Sequence, residues 1–296
     1  MTAKIIDGVA IARKVRVGIA QRAAALKTQG VFPALTMIVV GDNPASAVYV
    51  RNKVRACAEV GIKSEVMRLS ANVSETRLLD CIRKLNEAPG VHGILVQLPL
   101  PAHIAPRRVL ETISVAKDVD GFHLYNVGGL VIGETVFPPC TPYGVQKILE
   151  HEGIELEGKN VTVVGASNIV GKPLALMLMQ REATVAICHA KTRDLAQYTI
   201  LADILVVAAG QPNLIVAPMI RTGAVVIDVG INFLASGKLV GDVDFEGVRQ
   251  KASCITPVPG GVGPMTVTML LENTVAAAER ASRFHPLPAA GDAELW

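Results

Sequence analysis

The stretch Val163–Pro173, VVGASNIVGKP, decides the fold. An apolar run opens into a glycine turn, and a helix is expected from about Gly171, so strand, turn and helix follow one another as in dinucleotide-binding units. The spelling departs from G-x-G-x-x-G: Gly165 ends the strand, Gly171 begins the helix, and Ser167 stands between them as an extra donor. In such units the first glycine permits the tight turn, and the free N–H groups of the helix N-terminus face the pyrophosphate. Glycine after a strand is by itself ordinary turn chemistry; the flanking strand and helix make this one a nucleotide turn.

Working outward, the runs KNVTVVG, ATVAICH, ADILVVAAG and GAVVIDVG are nearly all apolar, as strands covered on both faces must be. They predict a doubly wound parallel sheet. NAD-selective sites place an acid at the end of the second strand, ~20 residues beyond the glycines, to grip the ribose. Here that end reads HAKTRD: His189, Lys191, Thr192 and Arg193 precede any acid, the first being Asp194. A basic strand end favours a 2′-phosphate, and so NADP over NAD.

The first half of the chain repeats the alternation. LTMIVVG (35–41) reads as a buried strand, with a helix from about Ser46 to Val60 stopped by Gly61. GIKSEVMRLS is a second strand; VSETRLLDCIRKLNEAPG is a helix opened by Ser74 with Glu75 in its first turn; VHGILVQLPLP (91–101) is a third strand. A proline-punctuated linker, FPPCTPYG, leads to a helix opening near Thr141, and PMTVTMLLENTVAAAERA reads as a long last helix with Pro264 in its first turn. Beginning after the second sheet ends, that helix can return to the first domain. The expectation is two α/β domains with a cleft between them: residues 1–140 joined by the helix 264–283, a Rossmann-like second domain 141–263, and a loose tail 284–296.

Composition agrees with this plan. A chain of 296 residues is long enough for two cores, and 50% hydrophobic against 19% charged residues suits a folded chain, with 4% aromatics leaving an aliphatic core. A net charge of +3, spread along the chain, gives no basis for nucleic-acid binding. Five cysteines without a C-x-x-C pair indicate neither zinc nor a disulfide framework. No apolar run approaches the ~18 residues of a membrane span, and the charged MTAKIIDGVAIARKV is not a signal peptide, so a cytoplasmic protein without membrane contact is expected.

Chemistry in the first domain rests on few residues. Tyr49 and Lys53 lie four apart and share one helix face; on that spacing alone, a snorkelling surface lysine is the better reading of Lys53. Gln97 sits at the carboxyl end of an apolar strand, where open α/β sheets bind ligands, and its amide needs a partner: Lys53 or the backbone. Asp118 and Asp120 in KDVDGF lie in a turn and serve either turn chemistry or a ligand's N–H groups, with Asp120 aimed by Gly121. His92, His103, His123 and His151 lack metal spacing and read as structural or surface residues.

Taken together, YVRNK (49–53), GILVQLPLP (93–101), KDVDGF (117–122), PCTPYG (139–144), VVGASNIVGKP (163–173), VIDVGIN (226–232), GDVDF (241–245) and TPVPGGVGPMT (256–266) resemble the bifunctional methylenetetrahydrofolate dehydrogenase/methenyltetrahydrofolate cyclohydrolase family of one-carbon metabolism. They run in the family's order from about residue 35 to 275. The resemblance implies tetrahydrofolate derivatives as substrates, NADP as cofactor, and a homodimer formed through the nucleotide domains. It implies Lys53 as the central catalytic group, Tyr49 stacked on substrate, Gln97 holding Lys53, and Asp120 on the pterin. Leu98, Pro99 and Pro259 would line the folate, with Gly260 and Gly261 letting backbone approach it closely. Gly165, Ala166, Ser167 and Ile231 would line the cofactor. Some family members have Arg after Gly165; Ala166 follows the bacterial form and leaves the 2′-phosphate to residues 189–193. A monofunctional dehydrogenase carries the same motifs, and a nucleotide-binding sensor would account for the second domain alone.

Overall fold

The computed structural model describes residues 2–284, so the tail expected at 284–296 lies, but for Phe284, outside the described residues. In chain order the elements are β1 (Lys4–Ile5), α1 (Gly8–Thr28), β2 (Ala34–Val40), α2 (Pro44–Val60), β3 (Lys63–Leu69), α3 (Glu75–Glu87), β4 (Gly93–Val96), α4 (Pro106–Thr112), α5 (Leu124–Ile132), α6 (Cys140–His151), β5 (Asn160–Val164), α7 (Gly171–Met179), β6 (Thr184–Cys188), α8 (Ala196–Thr199), β7 (Ile204–Val207), β8 (Val225–Asp228), β9 (Asn232–Phe233), β10 (Leu239–Val240), α9 (Phe245–Val248), β11 (Cys254–Ile255) and α10 (Val262–Phe284). No helix among the described residues is long and apolar enough to cross a membrane.

Two compact units emerge, and their boundaries depart from 1–140 and 141–263. Among the described residues, one comprises Arg16–Asn126 with Leu270–Phe284; the other comprises Thr2–Val15 with Val127–Met269. The departure at the N-terminus has a simple cause. β1 pairs in parallel with β11, Lys4 beside Cys254 and Ile5 beside Ile255, so the first residues complete the larger sheet.

The Arg16–Asn126 unit is built on a parallel sheet ordered β3-β2-β4. All seven residues of β2 are buried, as a central strand covered on both faces requires. α3 begins where Ser74 caps it, Oγ accepting from Arg77 N at 3.3 Å, and buries Leu78, Leu79 and Ile82. These pack with Ile38, Val40, Ile94, Val96, Ile104 and Val109, each such side chain contributing ~1.5–3 kcal/mol by leaving water. From Leu270, α10 belongs to this unit: Arg22 forks onto both Glu279 oxygens at 2.8 Å and also pairs with Glu272, while Asn273 Nδ2 donates to Val119 O at 2.9 Å. α1, unanticipated from sequence, buries Ile11, Ala12, Ile19, Ala23 and Leu26 at helical spacing.

The other unit carries a sheet ordered β1-β11-β8-β7-β5-β6, every pair parallel. Four consecutive residues of β7 are buried, so both faces are covered. The chain steps from β5 outward to β6 and then crosses back to β7 on the other side of β5. This reversal puts the topological switch point between the carboxyl ends of β5 and β7, where such sheets hold ligands. After β8, β9 and β10 form a short antiparallel hairpin.

Candidate active site

α2 ends in a left-handed glycine, Gly61 (φ 76°), with Ile62 N donating to Cys57 O at 2.9 Å. The spacing of its apolar residues sets which face of α2 is buried: Val50, Ala56, Cys57 and Val60 go inside, and Tyr49 and Lys53 stand half-buried at the rim, one turn apart. Burial raises the Tyr49 hydroxyl above its ordinary pKa and pushes the Cys57 thiol up to about 12, so both keep their protons near neutrality.

Gln97 extends β4 by one residue, its N–H donating to Ile38 O at 2.9 Å. Its side chain resolves the two readings of the sequence by doing both. Nε2 donates to Leu98 O at 2.8 Å, which turns Oε1 toward Lys53 Nζ at 3.1 Å. The lysine thus meets a neutral acceptor, positioned by the backbone of its own strand end. Leu98 is half-buried and Pro99 exposed, joined by a cis peptide bond.

The two aspartates of KDVDGF have different surroundings. Asp118 is 1% exposed; its Oδ2 accepts from His123 N and Asn126 Nδ2, both at 2.8 Å, whereas Oδ1 is buried without a partner among the described residues. Burial raises its pKa. Together with Asn273 on the Val119 carbonyl, these contacts lock the turn on both sides of Asp120, which is half-buried. Asp118 is therefore the turn's internal fastener, and Asp120 is the residue the turn displays. No group of three His, Cys, Asp or Glu side chains that could hold a metal ion occurs among the described residues. His92 is buried, with its pKa lowered by desolvation and then by Lys117.

In the other unit, the glycine turn answers the question of its spelling. Gly165 has φ 120°, and a Cβ there would lie 2.1 Å from Ala208 O; a Cβ on Gly171 would lie 1.8 Å from Gly165 O. The two glycines thus perform the tight turn and the close helix–strand packing that the standard fingerprint assigns to its first and third glycines. In between, Ser167 Oγ accepts from Val170 N at 3.1 Å and Gly171 N at 3.4 Å, shaping the loop at the N-terminus of α7. This turn lies at the switch point and fits a dinucleotide pyrophosphate.

At the end of β6, the expected basic residues divide into two kinds. His189 N donates to Thr192 Oγ1 at 2.9 Å and Lys191 N to His189 Nδ1 at 3.1 Å, so His189 and Thr192 fold the loop, while Lys191 and Arg193 stand exposed as its cations. Ile231 is 44% exposed just beyond β8. Pro259, Gly260 and Gly261 fall on this same unit. Gly260 has φ 107°, a Cβ on Gly261 would lie 2.6 Å from Pro257 O, and a Cβ on Gly8 would lie 1.8 Å from Gly261 O. These glycines have a packing reason of their own, independent of any ligand.

Residues 6–120 match the family model described as tetrahydrofolate dehydrogenase/cyclohydrolase, catalytic domain, and residues 139–282 match its NAD(P)-binding domain. The chain belongs to the tetrahydrofolate dehydrogenase/cyclohydrolase family. It is 60% identical over 281 residues to the bifunctional protein FolD of Nitrosospira multiformis, covering 95% of this chain and 98% of that one. The crystal structure of the bifunctional FolD of Campylobacter jejuni superposes with a TM-score of 0.93 at 53% identity, covering 94% of this chain and 99% of that one. The FolD of Trypanosoma brucei, solved with NADP cofactor and an inhibitor, does so with a TM-score of 0.93 at 41% identity, covering 96% and 99%.

Sequence reasoning left several of this family member's fasteners unassigned. Asn126 and Asn273 are buried amides, the first in an otherwise largely apolar helix. Asp228 and Asp242 are buried acids within motifs quoted only as family signatures. In each case the available signal was a polar residue where the apolar pattern demanded a hydrophobe.

Proposed function

We propose that this chain oxidises 5,10-methylenetetrahydrofolate to the 5,10-methenyl cation with NADP, and then hydrolyses that cation to 10-formyltetrahydrofolate. The family match supports the pair of activities, and the Lys53–Gln97 contact at 3.1 Å is the observation that carries the chemistry.

NADP, when bound, accepts the hydride that leaves the methylene bridge. No acid or base acts in that step, and orientation is the protein's contribution, which is worth up to ~7–11 kcal/mol. Gly165, Ala166 and Ser167 would hold the pyrophosphate, and Lys191 and Arg193 the 2′-phosphate, with His189 and Thr192 setting their loop. On the folate side, Tyr49 would stack on the substrate, Asp120 would accept N–H groups of the pterin, and Leu98 and Pro99 would line the remainder. Hydrolysis consumes one water and releases one proton, with the water's oxygen becoming the formyl oxygen. Lys53 would relay that proton, held by an amide that adds no charge of its own. The cationic bridge itself disfavours a second positive charge beside it.

A homodimer through the nucleotide-binding unit suits the exposed side chains of its edge strand β6, of α8 and of the turn after it, namely Ile187, Tyr198, Ile200 and Leu201, and sedimentation would report it. A cytoplasmic location suits five free cysteines. The deciding assay mixes purified protein with 5,10-methylenetetrahydrofolate and either NADP or NAD, and follows reduced cofactor and methenyl absorbance separately. Reduction with NADP and little methenyl build-up is the expected result. Persistent methenyl would leave a dehydrogenase alone, and no reduction with either cofactor would refute the reading.

A further inference from the structure

The motifs VIDVGIN and GDVDF each contain one buried acid that neither step uses. Asp228 closes β8 and is 4% exposed; Asp242 follows β10 and is fully buried. Burying a carboxylate is costly unless its oxygens are satisfied, and among the described residues neither acid forms an ion pair. Backbone and amide donors satisfy them instead. Asp228 Oδ1 accepts from Gly230 N at 2.9 Å and Asp242 N at 3.0 Å, and its Oδ2 from Val243 N at 3.0 Å. Asp242 Oδ2 accepts from Ala209 N at 2.6 Å and Gly210 N at 2.9 Å, and its Oδ1 from Gln211 N at 2.9 Å and Asn232 Nδ2 at 2.8 Å.

The arrangement is reciprocal. A Cβ on Gly230 would lie 2.3 Å from the Asp242 carboxyl, and a Cβ on Gly241 would lie 1.9 Å from Asp228 Oδ2, so each acid crosses a glycine beside the other acid. Because Asp242 N is itself a donor to Asp228, the two act in series: Asp228 fixes the backbone that presents Asp242, and Asp242 fixes the loop after β7. That loop is one wall of the switch point, for Ala208 O presses against Gly165, the first glycine of the nucleotide turn.

We infer that Asp228 and Asp242 are positioning residues for the dinucleotide, setting the 208–211 and 229–232 segments that face it rather than touching the reacting groups. This rests on the NADP reading above. A buried acid retained only for stability would be an odd choice, since apolar residues of similar volume stabilise as well or better. The amino end of the same sheet supplies the contrast. There Asp203 accepts from Asn160 N at 2.9 Å and pairs with Arg221, far along the strands from the nucleotide turn.

The experiment compares Asp242→Asn with the parent enzyme and with Asp203→Asn as a control. The amide keeps the carboxylate's shape but turns an N–H group toward donors it cannot accept from. Dehydrogenase KM for NADP should rise about tenfold, with kcat at saturating NADP within about twofold. The cyclohydrolase rate, measured on methenyltetrahydrofolate without cofactor, should stay at the parent value. Asp203→Asn should lower Tm and leave KM for NADP alone. If Asp242→Asn does not fold, Asn232→Ala removes one donor to Asp242 and should raise KM for NADP about threefold, with the same split. An unchanged KM overturns the inference. So does a parallel loss of both activities, which would mark a general structural role. A parent enzyme that reduces no NADP would refute the NADP reading itself, before any variant is compared.

Discussion

At the carboxyl end of β4, Gln97 turns its amide outward to a lysine, whereas at the carboxyl end of β8, Asp228 turns its carboxylate inward to three backbone N–H groups. Both strands run through apolar surroundings and both end in a polar residue where α/β sheets meet their ligands. The difference lies in what the polar group serves. In the Arg16–Asn126 unit it serves a side chain that can exchange a proton, so the group is neutral and half-exposed. In the nucleotide unit it serves the shape of loops, so it is charged, buried and saturated with donors. Proton transfer needs an open valence beside solvent; holding a cofactor needs rigid walls.

The hardest test of that division falls on Lys53. Lys53→Met should cut cyclohydrolase turnover by ~10²–10⁴-fold while folate KM and NADP KM move little, because positioned acid–base groups contribute on that scale. A variant hydrolysing the methenyl cation at the parent rate would erase the contrast between the two strand ends. Next in size, Lys191→Ala with Arg193→Ala should raise KM for NADP about tenfold and leave KM for NAD within about twofold, the pair being exposed, charge-assisted phosphate donors. Equal loss for both cofactors would place the 2′-phosphate elsewhere.

A further effect is one of pH. Burial raises the Asp228 carboxyl from 3.8 to about 6, so the folded protein holds that proton more tightly than the unfolded chain does. Its protonated form therefore adds stability in full below 3.8, and that contribution disappears as pH rises through about 6. The whole is worth ~2–3 kcal/mol. Thermal unfolding of Asp228→Asn should have a lower Tm throughout, but a flatter fall between pH ~4 and ~6.5 than the parent. An unchanged slope would assign that titration to another group.

Much of this was legible in the residues. The strand and helix runs of both sheets lie within a few positions of where the spacing put them, because long apolar runs leave little choice. Ser74 caps α3 through Arg77 N, as its position before Glu75 implied. The pairing of Gln97 with Lys53 was one of two open alternatives, and both proved to coexist, since an amide has an end for each. What escaped notice depends on distant partners. The two-residue strands β1 and β11 have no pattern of their own and exist only because each pairs in the larger sheet. α1 does carry helical spacing in Ile11, Ala12, Ile19, Ala23 and Leu26, but Gly8 and Gly18 and the interleaved valines blur it. Gly121 marked Asp120 as the aspartate the turn aims, but the fastening role of Asp118 rests on His123 and Asn126, partners that meet it only once the turn is packed.

α10 begins in one compact unit and ends in the other, and Thr2–Val15 belong with a sheet whose remaining strands begin at Asn160. Each unit is thus assembled from two stretches of chain that are not adjacent in sequence. The consequence is genetic. A gene cut once, near codon 140, would encode one product lacking Asn273, the residue that holds the Val119 carbonyl next to Asp120, and another lacking the edge strand β1. Dissecting the two activities into independent proteins would require a rearranged reading frame that restores Leu270–Phe284 to the first piece and Thr2–Val15 to the second, rather than a simple truncation.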